Sequence, residues 1–523
     1  MGLYMNPGNL EFREMLNDVY VDKSGMLELI NGSIDTPRRL TCVSRPRRFG
    51  KSYAAKMLCA YYDRSCDSAS LFDGLEISSS SSYRKYMNRY NVLYLDMTNM
   101  LGKVEDKSRL IPFVQEELRK ELHREIPGLP PSDTIDGDLL NAVTAAGCKF
   151  IMIIDEWDAP IRETPENEKA YLSFLRMLFK SSGTTARIFA AAYMTGILPI
   201  KKDGSQSAIS DFEEYTMLSP SGFAPFAGFT EEEVKKLCAD EKADFAQFKK
   251  WYDGYTLEST CSVYNPNSVI KALRRGRFDS YWTQSSSADS LLRFINMDFR
   301  GLSRTIAELV GGIDVSVDPN GFANDLTSFR DRDDILTLLI HMGYLTFNSQ
   351  NQTAKIPNEE IRMEFSRVIR RMDHSETIKR IAESDRLLDD TVHRREDAVA
   401  RQIEKIHAEE TAPLFYNNEQ SLRSVIKLAY YTYKDHYIQM KELPAGVGYA
   451  DIVYLPKQNS GYPALVIELK WNSSAEGAIH QILDKKYPDS LKDFGSEILL
   501  VGISYEKDAP PEKRRHTCVI RKA

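Results

Sequence analysis

The part of the chain that most constrains its fold is a polar loop, residues 45–50, between a β-prone segment and a helix. Leu40–Ser44 is short and β-prone, and Tyr53–Tyr62 carries apolar residues at helical spacing. Gly50–Ser52 therefore stands at the entrance of the helix. Free backbone N–H groups and the positive end of the helix dipole make such an entrance suited to phosphate.

Each residue of this entrance has a chemical reason to be there. Gly50 allows close approach of the backbone, Lys51 can reach β- and γ-phosphates, and the Ser52 hydroxyl can bind Mg²⁺. Arg45 stands where the phosphate-loop pattern (Walker A) has its first glycine. A Gly-Lys-Ser triplet alone could equally be a basic surface turn, so the interpretation depends on its context.

A second strand supplies that context. Phe150–Ile154 is continuously apolar, which is typical of a buried parallel strand, and the acids Asp155 and Glu156 follow it. Ligands bind at this end of strands in open α/β sheets. As a Walker B pair, Asp155 would orient Mg²⁺ through water and Glu156 would polarise the attacking water. The alternative is a solvated acidic loop.

A third apolar strand is predicted within Arg187–Gly196, with Thr195 near its end. In ring-forming and related ATPases, a polar residue at this place senses the γ-phosphate. Thr195 matches it by order along the chain, although a threonine can also simply end a strand. Helices alternate with such strands up to about residue 230, which predicts a doubly wound α/β domain.

Several segments resemble the AAA-ATPase-like domain of a family of bacterial and archaeal proteins. They are Val21–Lys23, Arg45–Ser52, Ile154–Pro160, Thr195–Leu198, Trp251–Tyr255 and Val263–Ser268. The resemblance implies a P-loop ATPase domain over residues 1–255 and makes the missing first glycine a family trait. Asp158 and Pro160 belong to the motif but have no role that we could derive from the sequence.

The resemblance also implies that the whole loop contacts ATP. The expected contacts to ATP are Arg45, Pro46, Arg47, Arg48, Phe49, Gly50, Lys51 and Ser52, with Asp155 and Thr195. Lys51 and Mg²⁺ already neutralise much of a triphosphate. We therefore expect at least one of the three arginines to point elsewhere.

Composition limits the cellular setting. The chain has 523 residues and a net charge of −7, so any attraction to nucleic acid must come from local basic patches. Its seven cysteines are scattered and form no C-x-x-C pair, which favours reduced thiols. We found neither a signal peptide nor an apolar run long enough for a membrane span. A cytoplasmic protein without a membrane partner is expected.

Beyond residue 255 the alternation of strands and helices stops. Asp331–Met342 reads as an amphipathic helix, followed by a hairpin over residues 344–358 and a helix over Glu359–Met372. This order resembles a winged-helix module, and we assign residues 256–375 to a helical and winged-helix-like part. Such a module can bind DNA or serve as a lid or docking surface.

Residues 376–523 hold a second group of charged residues. Asp451 begins one predicted strand of a hairpin, and Glu468 and Lys470 lie on one face of the next. Two neighbouring carboxylates form an oxygen-rich site for Mg²⁺ or Mn²⁺. A lysine beside the metal can activate water for attack on a phosphodiester.

An acid followed by E-x-K on the next strand is the PD-(D/E)XK nuclease signature, and residues 419–504 resemble the restriction-endonuclease-like α/β nuclease domain often joined to this ATPase-like domain. The resemblance adds Gln481 as a catalytic residue and Glu419 as a further metal ligand. We predict an ATPase coupled to a nuclease acting on DNA rather than RNA, in defence or mobile-element biology. The alternative is an NTP-dependent switch whose nuclease fold only binds nucleic acid or protein. A homo-oligomer remains open.

Overall fold

A computed structural model shows that the chain divides into two compact units. The first contains Met1–Ser287 and Ser316–Glu364, and the second contains Ala288–Val315 and Phe365–Ala523. The structure describes residues 2–523 except 181–182, 201, 204–205, 208, 210, 227, 258–260, 283–301, 311, 313, 325–328, 372–375, 411–418, 431, 434–435, 441–449, 458–460, 486–496 and 511–513.

The first unit is built on a sheet of parallel strands. Its first seven strands are β1 (Leu40–Ser44), β2 (Asn91–Asp96), β3 (Phe150–Asp155), β4 (Phe189–Gly196), β5 (Lys202–Asp203), β6 (Gln206–Ser207) and β7 (Glu213–Tyr215). β5 and β6 pair with each other, and the other five form one sheet in the order β2-β3-β4-β1-β7. Every neighbouring pair in that sheet is parallel, so all five strands end at the same edge.

Helices pack on both faces of this sheet. They are α1 (Leu10–Leu16), α2 (Met26–Ser33), α3 (Lys51–Tyr62), α4 (Ala69–Phe72), α5 (Tyr83–Tyr86), α6 (Met97–Lys103), α7 (Leu110–Glu125), α8 (Ile135–Ala146), α9 (Ala159–Glu163), α10 (Glu168–Phe179) and α11 (Thr184–Ile188). Alternate residues of β3 enter different cores: Met152 packs in the core that contains Leu118 of α7, and Ile153 in the core that contains Leu58 of α3. The predicted α/β fold around a parallel sheet is confirmed.

Smaller elements follow the sheet. The helices are α12 (Glu231–Asp240), α13 (Phe245–Tyr252), α14 (Pro266–Arg275), α15 (Leu302–Val310), α16 (Arg332–His341) and α17 (Glu359–Arg371). The strands are β8 (Phe229–Thr230), β9 (Tyr255–Leu257), β10 (Cys261–Tyr264), β11 (Val315–Ser316), β12 (Thr346–Asn348) and β13 (Thr353–Lys355). The predicted order of helix, antiparallel hairpin and helix is confirmed for α16, β12, β13 and α17. That this is a winged-helix module stays a prediction.

The second unit contains a mixed sheet. Its strands are β14 (Tyr437–Met440), β15 (Ile452–Pro456), β16 (Ala464–Trp471), β17 (Ile498–Tyr505) and β18 (His516–Lys522), in that order across the sheet. β16 and β17 are parallel and the other neighbouring pairs are antiparallel. The predicted hairpin of β15 and β16 is therefore confirmed, although Asp451 precedes β15 instead of beginning it.

Helices also lie on both faces of this second sheet. They are α18 (Glu376–Val392), α19 (Glu396–Glu410), α20 (Glu419–Ala429) and α21 (Ala475–Asp484). Ile467 of β16 packs in the core that contains Ile403 of α19, whereas its neighbour Val466 packs with Ile482 of α21. Because strand side chains alternate, Glu468 and Lys470 lie on the face of α21. A nuclease fold for this unit stays a prediction.

The boundaries of the two compact units differ from those of the three parts predicted from the sequence, residues 1–255, 256–375 and 376–523. The segment assigned to a separate middle part, residues 256–375, belongs largely to the same compact unit as the parallel sheet. One unit can hold more than one module, so the division at 255 and 375 stays a prediction. Within the described part of the chain, no helix has both the length and the apolar character needed to cross a membrane.

Candidate functional site

The loop of residues 45–50 connects β1 to α3, as the sequence predicts. Gly50 is the N-cap of α3 and has a φ of 85°, in the left-handed region that glycine adopts without strain. A Cβ at Gly50 would meet no atom within 4 Å, so backbone conformation rather than space favours glycine here. The backbone thus turns into the helix at the point where the free N–H groups of α3 begin.

Lys51 is buried beside this loop. Its Nζ donates to the carbonyl oxygen of Pro46 at 3.1 Å and lies 3.3 Å from Oε1 of Glu156. Only 4% of the Lys51 side chain is exposed. The ammonium group is therefore held over the loop, and its charge is balanced by an acid that a bound anion could displace.

The ends of three neighbouring strands meet next to Lys51. Asp155 of β3 is in register with Asp96 of β2 and with Thr195 of β4. Burial raises the pKa of Asp155 to about 6, while a hydrogen bond from Ser52 opposes the rise. The structure thus brings together Ser52 and Asp155, the two expected Mg²⁺-binding residues of the first unit.

Glu156 lies between two cations. Its Oε1 faces Lys51, and its Oε2 accepts from Nη2 of Arg162 at 3.1 Å. Its φ of 49° is left-handed, a conformation that turns the chain sharply after β3. The carboxylate is therefore oriented by its neighbours toward the same side as Lys51.

Thr195 is fully buried and its hydroxyl donates to the carbonyl oxygen of Val43 at 3.0 Å. Its side chain lines a small cavity with Arg45, Gly50 and Lys51. The structure therefore places Thr195 beside the loop, as the sequence predicts, while its hydroxyl holds β4 against β1.

Asp158, for which the sequence suggested no role, connects the acidic strand end to the segment after β4. Its carboxylate accepts from the backbone N–H groups of Ile197 at 3.2 Å and Leu198 at 3.0 Å, and from Nε of Arg162 at 2.8 Å. A Cβ at Gly196 would lie 2.4 Å from Oδ1 of Asp158. Asp158 thus fixes the position of the chain that follows Thr195.

Replacing Asp158 should destabilise the first unit. Asp158→Ala leaves two buried backbone N–H groups and the Nε of Arg162 without their acceptor, so we expect the free energy of unfolding to fall by about 3 kcal/mol. Urea denaturation of both proteins measures this. Glu163→Ala, an exposed acid on the adjacent helix, is the control and should change it by less than about 0.5 kcal/mol. Equal stability of the two variants would contradict this role for Asp158.

The arginines of the loop contact the protein itself. Arg45 is 1% exposed, and its Nη1 donates to the carbonyl oxygens of Ser44 and Tyr215 at 2.8 and 2.9 Å. Burial lowers the pKa of Arg45 to about 10. Arg48 donates to the carbonyl oxygen of Tyr281. Two of the three arginines therefore have backbone partners, and the expectation that not all of them serve a phosphate stays a prediction.

The remaining loop residues differ in exposure. Arg47 is half-buried, and Pro46 is buried and offers its carbonyl oxygen to Lys51. Phe49 is 2% exposed and packs edge-on against Tyr255, with ring centroids 5.2 Å apart. Phe49 thus anchors the loop in the core, and a role in contacting nucleotide stays a prediction for each of these residues.

The second candidate site lies at one end of β16. Oδ2 of Asp451 accepts from the backbone N–H of Leu469 at 2.9 Å, which places this acid next to Glu468. Asp451 also forms an ion pair with Arg423 of α20. The expected approach of Asp451 to the E-x-K strand is therefore present, with a guanidinium group on the acid.

Glu468, Lys470 and Gln481 form one hydrogen-bonded chain. Lys470 donates to the amide oxygen of Gln481, whose nitrogen donates to Oε1 of Glu468. Nζ of Lys470 lies 4.0 Å from Oε1 of Glu468. Gln481 of α21 thus contacts both charged residues of the predicted E-x-K motif on β16.

The charge of Glu468 is only partly compensated. Burial raises its pKa to about 7, nearby Lys470 lowers it, and the carboxylate of Glu419 raises it. Its second oxygen, Oε2, is buried without a hydrogen-bond partner among the described residues. Glu419 itself is exposed on α20. A cation between these acids would supply the missing partner.

Sequence reasoning missed two residues that contact these acids, Arg162 and Arg423. Arg162 follows Asp158 by four residues, a spacing that places both on one side of a helical turn and could have indicated the pair. Arg423 pairs with an acid 28 positions away, and no local pattern in the sequence signals such a contact.

Comparison with known proteins finds a family similar to part of the first unit. Residues 8–205 match the model of a family described as "Predicted AAA-ATPase". Together with the parallel sheet and the loop at α3, this match supports an AAA-ATPase-like domain in this part of the first unit.

One curated relative and one solved structure are also similar. The relative is an "Uncharacterized protein in vnfD 5'region" of Azotobacter chroococcum mcd 1, 23% identical over 365 residues, 67% of this chain and 65% of its own length. The chain thus spans about two thirds of that relative. The structure is the Aeropyrum pernix ORC2 protein (ADPNP-ADP complexes), at 8% identity, covering 68% of this chain and 97% of that one. Its TM-score of 0.28 is too low to establish a common fold.

Proposed function

We propose that the AAA-ATPase-like domain binds ATP with Mg²⁺ at the β1–α3 loop and hydrolyses it. The observation that carries the proposal is the buried Lys51, held over the loop beside Glu156, with the Ser52 hydroxyl and Asp155 close to each other at the end of β3. A hydroxyl and a carboxylate are the oxygen donors that Mg²⁺ takes from a protein in such a site. When bound, the ion would neutralise charge that develops on the phosphates.

Lys51 and Glu156 form an ion pair without nucleotide, and we propose that Lys51 binds phosphate and Glu156 activates water when ATP is bound. A triphosphate on the loop would compete for the Lys51 ammonium, because phosphate oxygens accept charge-assisted hydrogen bonds. Glu156 would then be released from Lys51 while Arg162 still orients it through Oε2. A carboxylate in that position can take a proton from attacking water. ATP binding would thereby prepare the base.

Glu156→Gln is the test of this base. The amide keeps the shape of the side chain but cannot accept a proton, so we expect ATP affinity to be kept and hydrolysis to slow by about 10²–10⁴-fold. Isothermal titration with Mg·ATP and a phosphate-release assay measure the two quantities. Glu163→Gln, an exposed acid on α9, is the matched control. Normal turnover of Glu156→Gln would remove Glu156 from this role.

For the second unit we propose a metal-dependent nuclease centre made of Asp451, Glu468 and Lys470. The observation that favours it is the buried Oε2 of Glu468 without a partner, beside Lys470 and next to Asp451. Mg²⁺ or Mn²⁺ would be held by Asp451 and Glu468, with Glu419 as an additional ligand. The ion would polarise the scissile phosphate, and Lys470, oriented by Gln481, would act on the water.

A cleavage assay and a nucleic-acid binding assay together distinguish a nuclease from a module that only binds. Cleavage of plasmid DNA and of RNA is assayed with Mg²⁺ or Mn²⁺, each with and without ATP. A cleavage rate that changes when ATP is added would be evidence that the two units are functionally coupled. Nucleic-acid binding without cleavage under every condition would favour a regulatory NTP-dependent switch. DNA as substrate, homo-oligomerisation and a role in defence or mobile-element biology remain proposals that rest on the resemblance in sequence. A cytoplasmic location remains a proposal that rests on the cysteine content and the other composition features described above.

A further inference from the structure

The second unit contains another cluster of potential metal ligands. Glu404 and His407 lie on α19, three residues apart and therefore on one side of the helix. His516 is the first residue of β18, against which α19 packs. Atoms that can bind a metal, one from each of these three residues, lie within 4.8 Å of one another. The chain thus brings two imidazoles and one carboxylate to a single point.

This cluster is separate from the proposed nuclease centre. His516 is paired in register with Tyr505, and Tyr505 packs in the core that contains Ile403 of α19. Glu468 and Lys470 lie on the other face of the sheet, where Gln481 of α21 contacts them. A cation bound at one place would therefore not share ligands with a cation at the other.

The geometry of the cluster is well defined. Oε2 of Glu404 accepts from the backbone N–H of His516 at 2.8 Å and lies 2.5 Å from its Nδ1. Nδ1 of His407 is 4.0 Å from the other oxygen of Glu404. The rings of His407 and His516 are 5.2 Å apart, and the ring of Tyr505 packs against both. Packing against Tyr505 thus holds the two imidazole rings, and α19 holds Glu404 beside them.

Burial distinguishes the three ligands. The side chain of His516 is fully buried, that of His407 is 12% exposed, and that of Glu404 is 39% exposed. A structural pair of His516 with Glu404 would by itself satisfy a buried histidine. That pair does not require a second histidine. His407 adds a second imidazole at the same carboxylate and so completes a set of three ligands that faces solvent on one side.

We propose that Glu404, His407 and His516 bind one divalent transition-metal ion, with Zn²⁺ as the best match. Imidazole nitrogen suits Zn²⁺ and its neighbours in the first transition series, whereas Mg²⁺ and Ca²⁺ prefer sets of oxygen ligands. Two histidines and one glutamate are a known ligand set for Zn²⁺ with an open fourth position. On binding, the ion would displace the proton shared by His516 and Glu404, and that proton would be released to solvent. It would link α19 to β18.

The test uses the untagged full-length chain and two probes, Zn²⁺ and Co²⁺. Zn²⁺ affinity is measured by competition with a chromophoric chelator, and Co²⁺ binding is followed by its visible absorption bands. His407→Ala is the main variant, because it leaves the contact between Glu404 and His516 intact. His480→Ala, which removes an exposed histidine from α21, is the matched control.

We expect one tightly bound Zn²⁺ per chain and visible bands with Co²⁺. His407→Ala should weaken Zn²⁺ binding by at least about 100-fold, since loss of an outer-shell partner alone costs about 10–100-fold. His480→Ala should bind Zn²⁺ like the wild type. The proposal is overturned if the wild type shows no Co²⁺ bands and no stoichiometric Zn²⁺, or if His407→Ala binds Zn²⁺ as tightly as the wild type.

Discussion

Lys51→Ala is expected to weaken Mg·ATP binding by about 100-fold or more. The ammonium group donates charge-assisted hydrogen bonds to phosphate that are worth about 3 kcal/mol together, and each 1.4 kcal/mol is a factor of ten in affinity. Isothermal titration of the variant with Mg·ATP measures the loss. The fold should persist, because Arg162 remains to pair with Glu156 when Lys51 is removed.

The control for this result is Lys120→Ala. Lys120 lies on α7 with 60% of its side chain exposed and forms ion pairs with Glu116 and Glu117. Exposed pairs of this kind contribute little to stability, so this variant should bind nucleotide like the wild type. Unchanged ATP affinity of Lys51→Ala, with a native circular dichroism spectrum, would contradict the assignment of the loop as a nucleotide site.

Glu468→Gln is expected to lower nucleic-acid cleavage by about 1000-fold. The substitution removes the charge of one proposed metal ligand, and metal-ion catalysis contributes several kcal/mol to lowering the barrier. Lys470→Ala should instead keep Mn²⁺ binding while slowing the chemical step. Mn²⁺ titration and single-turnover cleavage distinguish the two variants. His480→Ala, on the same helix as Gln481 but exposed, should cut like the wild type.

Cleavage by Glu468→Gln at the wild-type rate would refute the nuclease proposal without affecting the ATPase proposal. The same variant also has an expected effect on stability without metal. Burial raises the pKa of Glu468 from an ordinary value of 4.5 to about 7. The native state therefore holds this proton more tightly than the unfolded state, and the wild type should lose stability as pH rises from about 4.5 to about 7.

Glu468→Gln cannot ionise, so its stability relative to the wild type should increase over that pH range and then level off above about 7. The buried acids Asp155 and Glu360 also have raised pKa values, but they are common to both proteins and cancel in the difference. Urea denaturation of both proteins in the presence of a chelator, at pH 5 and at pH 8, measures this difference in stability. An equal difference at both pH values would mean that Glu468 does not titrate in this range.

The parallel sheet and its loop could be predicted from the sequence because their determinants are local. An apolar run followed by Gly50 and a helical pattern specifies strand, turn and helix within about 20 residues. The acids at the end of β3 were predictable for the same reason, since the carboxyl ends of parallel strands meet at one edge. The hairpin of β15 and β16 followed from alternation and a turn between the two strands.

Contacts between distant residues were not predictable. Asp158 binds the backbone of residues 197–198, Arg45 reaches the carbonyl oxygen of Tyr215, and Arg423 pairs with Asp451. Each depends on which strands are neighbours and in what register they pair. Residue type and spacing do not specify these, because many registers bury the same apolar residues.

The sequence alone thus determined the class of fold of the first unit, its phosphate-type loop and the acids that face it. The tertiary structure decided which partners balance those charges and which residues from separate segments meet. The cluster of Glu404, His407 and His516 shows the difference: two of its residues are neighbours on α19, but the third lies 109 positions beyond His407 and arrives only through the packing of β18 on that helix. Side-chain convergence of this kind depends on the packing of elements, whereas strands and helices depend largely on short-range patterns.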